Sequence, residues 1–134
     1  MQNQPTVTPA GSVYDWYVRG LELLAAGNPA AAAALLEHAH HAEPGSRSIR
    51  EALARAQNGA GAFSRARESF AAIVAESPSD DYAHFGLGLA SARLGDHAGA
   101  VEHLALACAM RPDNRDYEAA LQRARAARAA RAAG

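Results

Sequence analysis

Lysine is absent from this chain, and cysteine occurs once. The 134 residues carry a formal charge of −1, from 13 basic side chains, all arginine, against 14 acidic ones. So even a balance gives no whole-chain reason to expect nucleic acid or an anionic membrane surface as partner. The lone Cys108 excludes an internal disulfide and a thiolate zinc cluster. No apolar run approaches the ~18 residues of a membrane-spanning segment. Met1 to Ser12 is polar, with no cationic region leading into an apolar one. No secretory signal is therefore expected, and the cytoplasm is the expected compartment. Aromatics make up only 6% and β-branched residues are scarce, which argues against a sheet protein.

What is present points to helices. Alanine, the strongest helix former, fills 36 of the 134 positions, and arginine ranks close behind it in propensity. Hydrophobic residues at 49% and charged residues at 20% exclude wholesale disorder, and the length suits one domain. Abundant Ala and Arg without Lys also fit a GC-rich, bacterial genome.

Prolines recur at Pro44, Pro78 and Pro112, 34 residues apart. Gly27, Gly61 and Gly95 keep step, each 17 residues before its proline. Ala32, Ala66 and Ala100 follow, and four places later stand Leu36, Phe70 and Leu104. Four residue classes sharing one period define a repeat.

Each glycine divides its unit into two helical stretches. In the third unit these are Asp81 to Leu94 and His97 to Met110, joined by Gly95-Asp96. The glycine supplies the left-handed residue that ends the first helix, and Asp96 caps the second. Asn28 and Pro29 predict the same start in the first unit, as N-cap and first helical residue. Ala62 offers no polar cap, so the second unit's turn is expected to be the loosest. Each proline stops its helix by pushing the preceding residue out of the α region.

A unit of this length with these markers resembles the tetratricopeptide repeat (TPR), with its pattern W-x2-L-G-x2-Y, A-x3-F, A and P. With each proline at repeat position 32, the units are 13–46, 47–80 and 81–114. Trp16, Gly20, Ala32, Leu36, Ala39 and Pro44 carry the first; Leu53, Ala54, Gly61, Ala66, Phe70 and Pro78 the second. Leu87, Gly88, Gly95, Ala100, Leu104, Ala107 and Pro112 carry the third. Arg19 and Ile73 depart from the pattern, Arg50 and His84 replace the tryptophan, and Leu23, Gln57 and Ser91 replace the tyrosine. Slimmer inter-helix packing is expected there. A stack of repeats leaves its last helix half bare, so residues 115–134 are expected to form a cap through Tyr117, Ala120, Leu121 and Ala124. The resemblance thus implies an all-α fold, an α-solenoid of seven helices in a right-handed superhelix. A disordered arm over residues 1–12 is expected before it.

No catalytic constellation stands out. Asp80-Asp81 reads as an ordinary helix start. Gly86-Leu87-Gly88 follows no strand and lies in helical register, so it is no nucleotide fingerprint. His38 and His41 share a helix face, with His40 nearby, but nothing fixes a third metal ligand among Glu37 and Glu43. A polar, solvated outer face is expected there. Cys108 follows the packing residue Ala107, and only Arg111 lies within one turn on its face, so no activated thiol is expected. No cofactor, metal or small-molecule substrate is expected, and no enzymatic activity.

The resemblance places function on the concave surface, where the first helix of each unit contributes positions 2, 5, 9, 12 and 13. These include Tyr14, Tyr17 and Leu21 in the first unit, and Glu51, Arg55 and Asn58 in the second. Tyr82, Phe85, Leu89 and Arg93 continue the line in the third, followed by Asp116, Ala119 and Arg123 of the cap. Aromatic rings and arginine suit a peptide or partner helix. Tyr17 and Phe85 also stand where family members carry an aromatic for packing alone. A clamp for chaperone tails is disfavoured: its Lys and Asn positions hold Tyr17 and Leu21, and its later ones hold Ala52 and Gly86. The expected role is a protein-interaction module or adaptor, monomeric or a weak homodimer. Two other readings remain: a self-associating scaffold, or electrostatic contact with nucleic acid or an anionic surface through Arg123, Arg125, Arg128 and Arg131. Nucleic acid is disfavoured because no aromatics interleave these arginines.

Overall fold

The computed structural model describes residues 8–134, and the described residues form seven α-helices and no strand. They are α1 (Val13–Ala25), α2 (Pro29–Ala42), α3 (Arg47–Gly59), α4 (Phe63–Glu76), α5 (Asp81–Arg93), α6 (His97–Met110) and α7 (Arg115–Ala133). Residues 1–7 of the arm expected over 1–12 lie outside the described residues. Its last residues are tied down. Ser12 caps α1 by accepting from Asp15 N at 3.2 Å, and its own N–H donates to Asp15 Oδ2 at 2.9 Å.

The three intra-unit turns close in one way. Gly27, Gly61 and Gly95 have φ of 79°, 82° and 84°. That left-handed step lets the next N–H reach back to the helix, from Asn28 to Leu23 O, Ala62 to Gln57 O and Asp96 to Ser91 O, at 2.9, 2.8 and 2.9 Å. The second turn is therefore held as tightly as the others: its closure is a backbone property that the missing side-chain cap does not touch. Asp96 accepts from Gly99 N at 2.9 Å as expected, whereas Asn28 makes no side-chain cap bond. Asp96→Ala is expected to cost about 1 kcal/mol in urea denaturation, and Asn28→Ala only a few tenths.

Repeat position 4 performs one task with three different side chains. Trp16 Nε1 donates to Ala10 O at 3.1 Å, Arg50 Nη2 to Pro44 O at 2.8 Å, and His84 Nε2 to Pro78 O at 2.8 Å. Each reaches a carbonyl six residues upstream and pins the incoming loop to the new helix. Arg50 adds an ion pair with Glu76 at 3.2 Å.

The His84 contact has an electrostatic consequence. A carbonyl only accepts, so His84 Nε2 carries a proton, and in the neutral ring Nδ1 is then an acceptor. His103 Nδ1 lies 3.1 Å away and must donate to it. Burial holds the His103 pKa below its ordinary 6.5, with nearby Glu102 and Asp96 opposing and His84 adding to the depression. The folded state thus binds this proton less readily than the unfolded chain. The contribution is complete above about pH 6.5 and is lost as pH falls below it. In thermal melts from about pH 7 to pH 5, the stability of wild type relative to His103→Gln should fall.

Each helix packs on its chain neighbours. In addition, α1 approaches α3, α3 approaches α5 and α5 approaches α7, whereas α2, α4 and α6 make no backbone contact with one another. The stack therefore curves with the odd helices on its inner wall. The core lies between layers. Leu36, Phe70 and Leu104 are fully buried, and each meets a small residue of the next odd helix. Leu36 clusters with Ala52 and Leu104 with Ala120. Phe70, the largest, lies against Gly86, where even a Cβ would stand 2.3 Å from the ring. Tyr117, Ala120, Leu121 and Ala124 of α7 are buried, and every residue after Ala124 is exposed. Tyr117 locks the cap: its hydroxyl donates to Asp81 Oδ2 at 2.6 Å, and Arg111 lies 3.6 Å from the other oxygen.

Candidate functional site

The inner wall presents three regions. At its start, Tyr14 is 72% exposed. Tyr14 and Tyr17 line a pocket of about 200 Å³ with Glu43 and Ser48. Leu21, also expected on the groove, packs partly on the core around Leu36.

In the middle, Tyr82 bridges Phe70 and Phe85, with ring centroids 6.1 and 6.0 Å away, and Phe85 stacks on Tyr117 at 4.7 Å. This aromatic ladder explains why Tyr82 and Phe85 are largely covered: they hold α5 against its neighbours as well as facing inward. Burial pushes the Tyr82 hydroxyl up, opposed by the Arg55 guanidinium beside it. Burial, with Asp80 adding, also raises Glu51, which Arg55 and Arg47 oppose. Arg55 itself is exposed.

At the far end lies a pocket of about 530 Å³ between α3, α5 and α7. Asn58, Leu89, Arg93 and Arg123 line it, which brings four of the expected residues together. Its floor is apolar, from Leu89, Ala92, Leu104, Ala120 and Ala124, with Ala127 at the rim. Phe63 completes it, a residue that repeat register does not mark. The Arg93 guanidinium lies 4.6 Å above the Phe63 ring. That cation–π contact restrains the guanidinium at the edge of the pocket. Asn58 Nδ2 donates to Gly86 O at 3.3 Å, but Asn58 Oδ1 and His97 Nδ1 are buried without partners, and both residues belong to this lining. An unpaired buried polar atom costs about 1–3 kcal/mol. The structure does not merge this pocket with the one at Tyr14 and Tyr17.

Arg125, Arg128 and Arg131 stand clear of the pocket on the exposed end of α7. On the opposite wall, a groove of about 810 Å³ runs along α2 past Trp16, His38, His41 and Arg65. The face expected to be solvated is thus partly enclosed. His38 meets Trp16 edge-on at 6.4 Å, and His40 Nδ1 is buried without a partner. Among the described residues no three His, Cys, Asp or Glu side chains converge as a metal site. Burial raises the Cys108 thiol, and Glu118 adds to this; the cation that opposes them is Arg125 of α7, not Arg111, which pairs with Asp81. No described helix is long and apolar enough to cross a membrane.

A curved stack of helix pairs, closed by a single helix, is an α-solenoid repeat protein. Two tetratricopeptide-repeat models match, over residues 23–84 and 59–115, and the chain belongs to the tetratricopeptide-repeat family. No curated protein matches its sequence. Among solved structures, the Sgt2 TPR domain from Aspergillus fumigatus has a TM-score of 0.81 at 19% identity, over 94% of this chain and 85% of that one. The first TPR of Spaghetti (RPAP3) bound to the HSP90 peptide SRMEEVD has a TM-score of 0.79 at 19% identity, over 87% and 93%. A MamA RS-1 double mutant also reaches 0.79 at 19% identity, over 84% of this chain but only 64% of its own length. At these identities the likeness is one of fold.

Proposed function

We propose that this chain is a protein-interaction module whose inner wall holds a peptide or helix of a partner protein. The observation that carries the reading is the 530 Å³ pocket on that wall, which combines an apolar floor with exposed arginines. Tyr14, Tyr17, Glu51, Arg55, Tyr82 and Phe85 extend the contact surface along the same wall. The role is passive: the helices hold the side chains in place before the partner arrives, which limits the ordering cost of association. A fold neighbour, the first TPR of Spaghetti (RPAP3), is bound to a peptide of HSP90, which supports this reading. Here the recognition chemistry differs, since Tyr17, Leu21, Ala52 and Gly86 occupy the clamp positions.

The test compares wild type with a Tyr82→Ala/Arg55→Glu/Arg93→Glu/Arg123→Glu variant, which alters both the pocket and the wall beside it, with helicity unchanged. Each is immobilised and exposed to a phage-displayed library of random linear peptides. Peptides enriched on wild type and lost on the variant support the groove. Identical enrichment on both removes it.

A further inference from the structure

We infer that the pocket between α3, α5 and α7 selects an acidic segment of the partner, with an Asp or Glu beside an aliphatic side chain. This rests on the groove reading above and names the chemistry of its occupant.

Charge complementarity carries the argument. The chain as a whole has a charge of −1, so any attraction for an anion must be local. Arg93 and Arg123 line one pocket, and neither forms an ion pair among the described residues; the arginines that do are Arg50 and Arg111. An unpaired guanidinium beside an apolar floor is in a position to gain from a carboxylate, because low-dielectric walls strengthen the pair and its fork matches two oxygens. Arg93 is already oriented by the Phe63 ring, so less side-chain freedom is lost on binding. Leu89, Ala92 and Ala124 provide the surface for an aliphatic neighbour of that carboxylate. Glu51 and Asp116, the acids that register places on this wall, lie outside the pocket lining.

The phage-displayed library is the probe. Wild type should enrich peptides in which Asp or Glu adjoins Leu, Ile or Met. Arg93→Glu/Arg123→Glu, checked for unchanged helicity, should lose these peptides or enrich basic ones instead. A synthetic copy of the leading wild-type peptide should bind Arg93→Gln/Arg123→Gln about tenfold or more weakly in fluorescence anisotropy. Acidic enrichment that survives the charge reversal overturns the placement in this pocket. Enriched peptides without acidic excess, still lost on Tyr82→Ala/Arg55→Glu/Arg93→Glu/Arg123→Glu, overturn the inference while leaving the groove reading intact. No enrichment over bare support overturns both. Arginine-dependent binding of poly(U) RNA without acidic peptide enrichment overturns it in favour of nucleic acid.

Discussion

Phe70→Ala is expected to cost about 3–5 kcal/mol, a large part of the roughly 5–15 kcal/mol that holds a domain together. Phe70 is 1% exposed and joins the second and third units, with Ala54 and Ala66 on one side and Ala83, Leu87 and Ala90 on the other. Truncation removes the ring that fills the space left by Gly86, and both helices are anchored too well to collapse into it. The reverse substitution tests the same fit. Gly86→Ala gains about 1 kcal/mol of helix propensity. Its new Cβ, however, would lie 2.3 to 2.5 Å from three ring atoms, so Phe70 must leave its rotamer or α5 must shift. Overpacking of this kind costs about 1–3 kcal/mol, so Gly86→Ala should destabilise on balance. Adding Phe70→Leu recreates the Leu–Ala pair found at Leu36–Ala52 and Leu104–Ala120. The double variant should therefore be more stable than the sum of the two single changes. Urea denaturation of all four proteins measures the coupling. Additive losses would contradict the fit.

That pairing shows which parts of the fold can be read from sequence. Pro44, Gly27 and their repeats act through the backbone of their own neighbourhood, so their spacing alone gives the helix ends. Helix ends at Glu43, Ser77 and Arg111, each just before its proline, have φ near −135°. Contacts across the stack are less legible. Gly86 looks like a weak helix residue until Phe70 is placed against it. Arg50 and His84 look like losses of a packing tryptophan. Only the carbonyls of Pro44 and Pro78 show that a donor, not a ring, is what position 4 supplies. The turn at Ala62 misleads for a related reason: a missing side-chain cap is visible in sequence, but the backbone bonds that close the turn are not.

The same limit applies to the inner wall. Register places Asn58, Leu89, Arg93 and Arg123 on one side of the stack because position on a helix fixes direction. It did not show that these four meet while Tyr14 and Tyr17 form a separate pocket. Phe63 opens an even helix and carries no register mark, so its stacking on Arg93 is visible only in three dimensions. Tyr117 is legible as a capping residue, but its bond to Asp81 spans 36 residues and depends on the curvature of the stack.

A chain ending at Asn114 is expected to lose cooperative folding, whereas one ending at Ala124 should melt within about 0.5 kcal/mol of wild type. Removing all of α7 bares Leu104 and Ala100 and withdraws Tyr117, Leu121, Ala120 and Ala124 from the core. The apolar burial and the Tyr117–Asp81 bond together amount to roughly 5 kcal/mol as an upper figure, which rivals the stability of the whole stack. The last turns of α7 bury nothing, so their loss leaves that sum intact. Circular dichroism melts distinguish the two truncations, and a stable chain ending at Asn114 would show that the repeats need no cap. The milder truncation also separates the two uses of arginine. It removes Arg125, Arg128 and Arg131 while keeping Arg123 at the edge of the pocket. If recognition belongs to the inner wall, the chain ending at Ala124 should retain most of its affinity for a wild-type-selected peptide, losing only the small contribution of Ala127. Loss of peptide binding with the folded stack intact would instead assign recognition to the exposed end of α7, where the charge is dense but no pocket holds it.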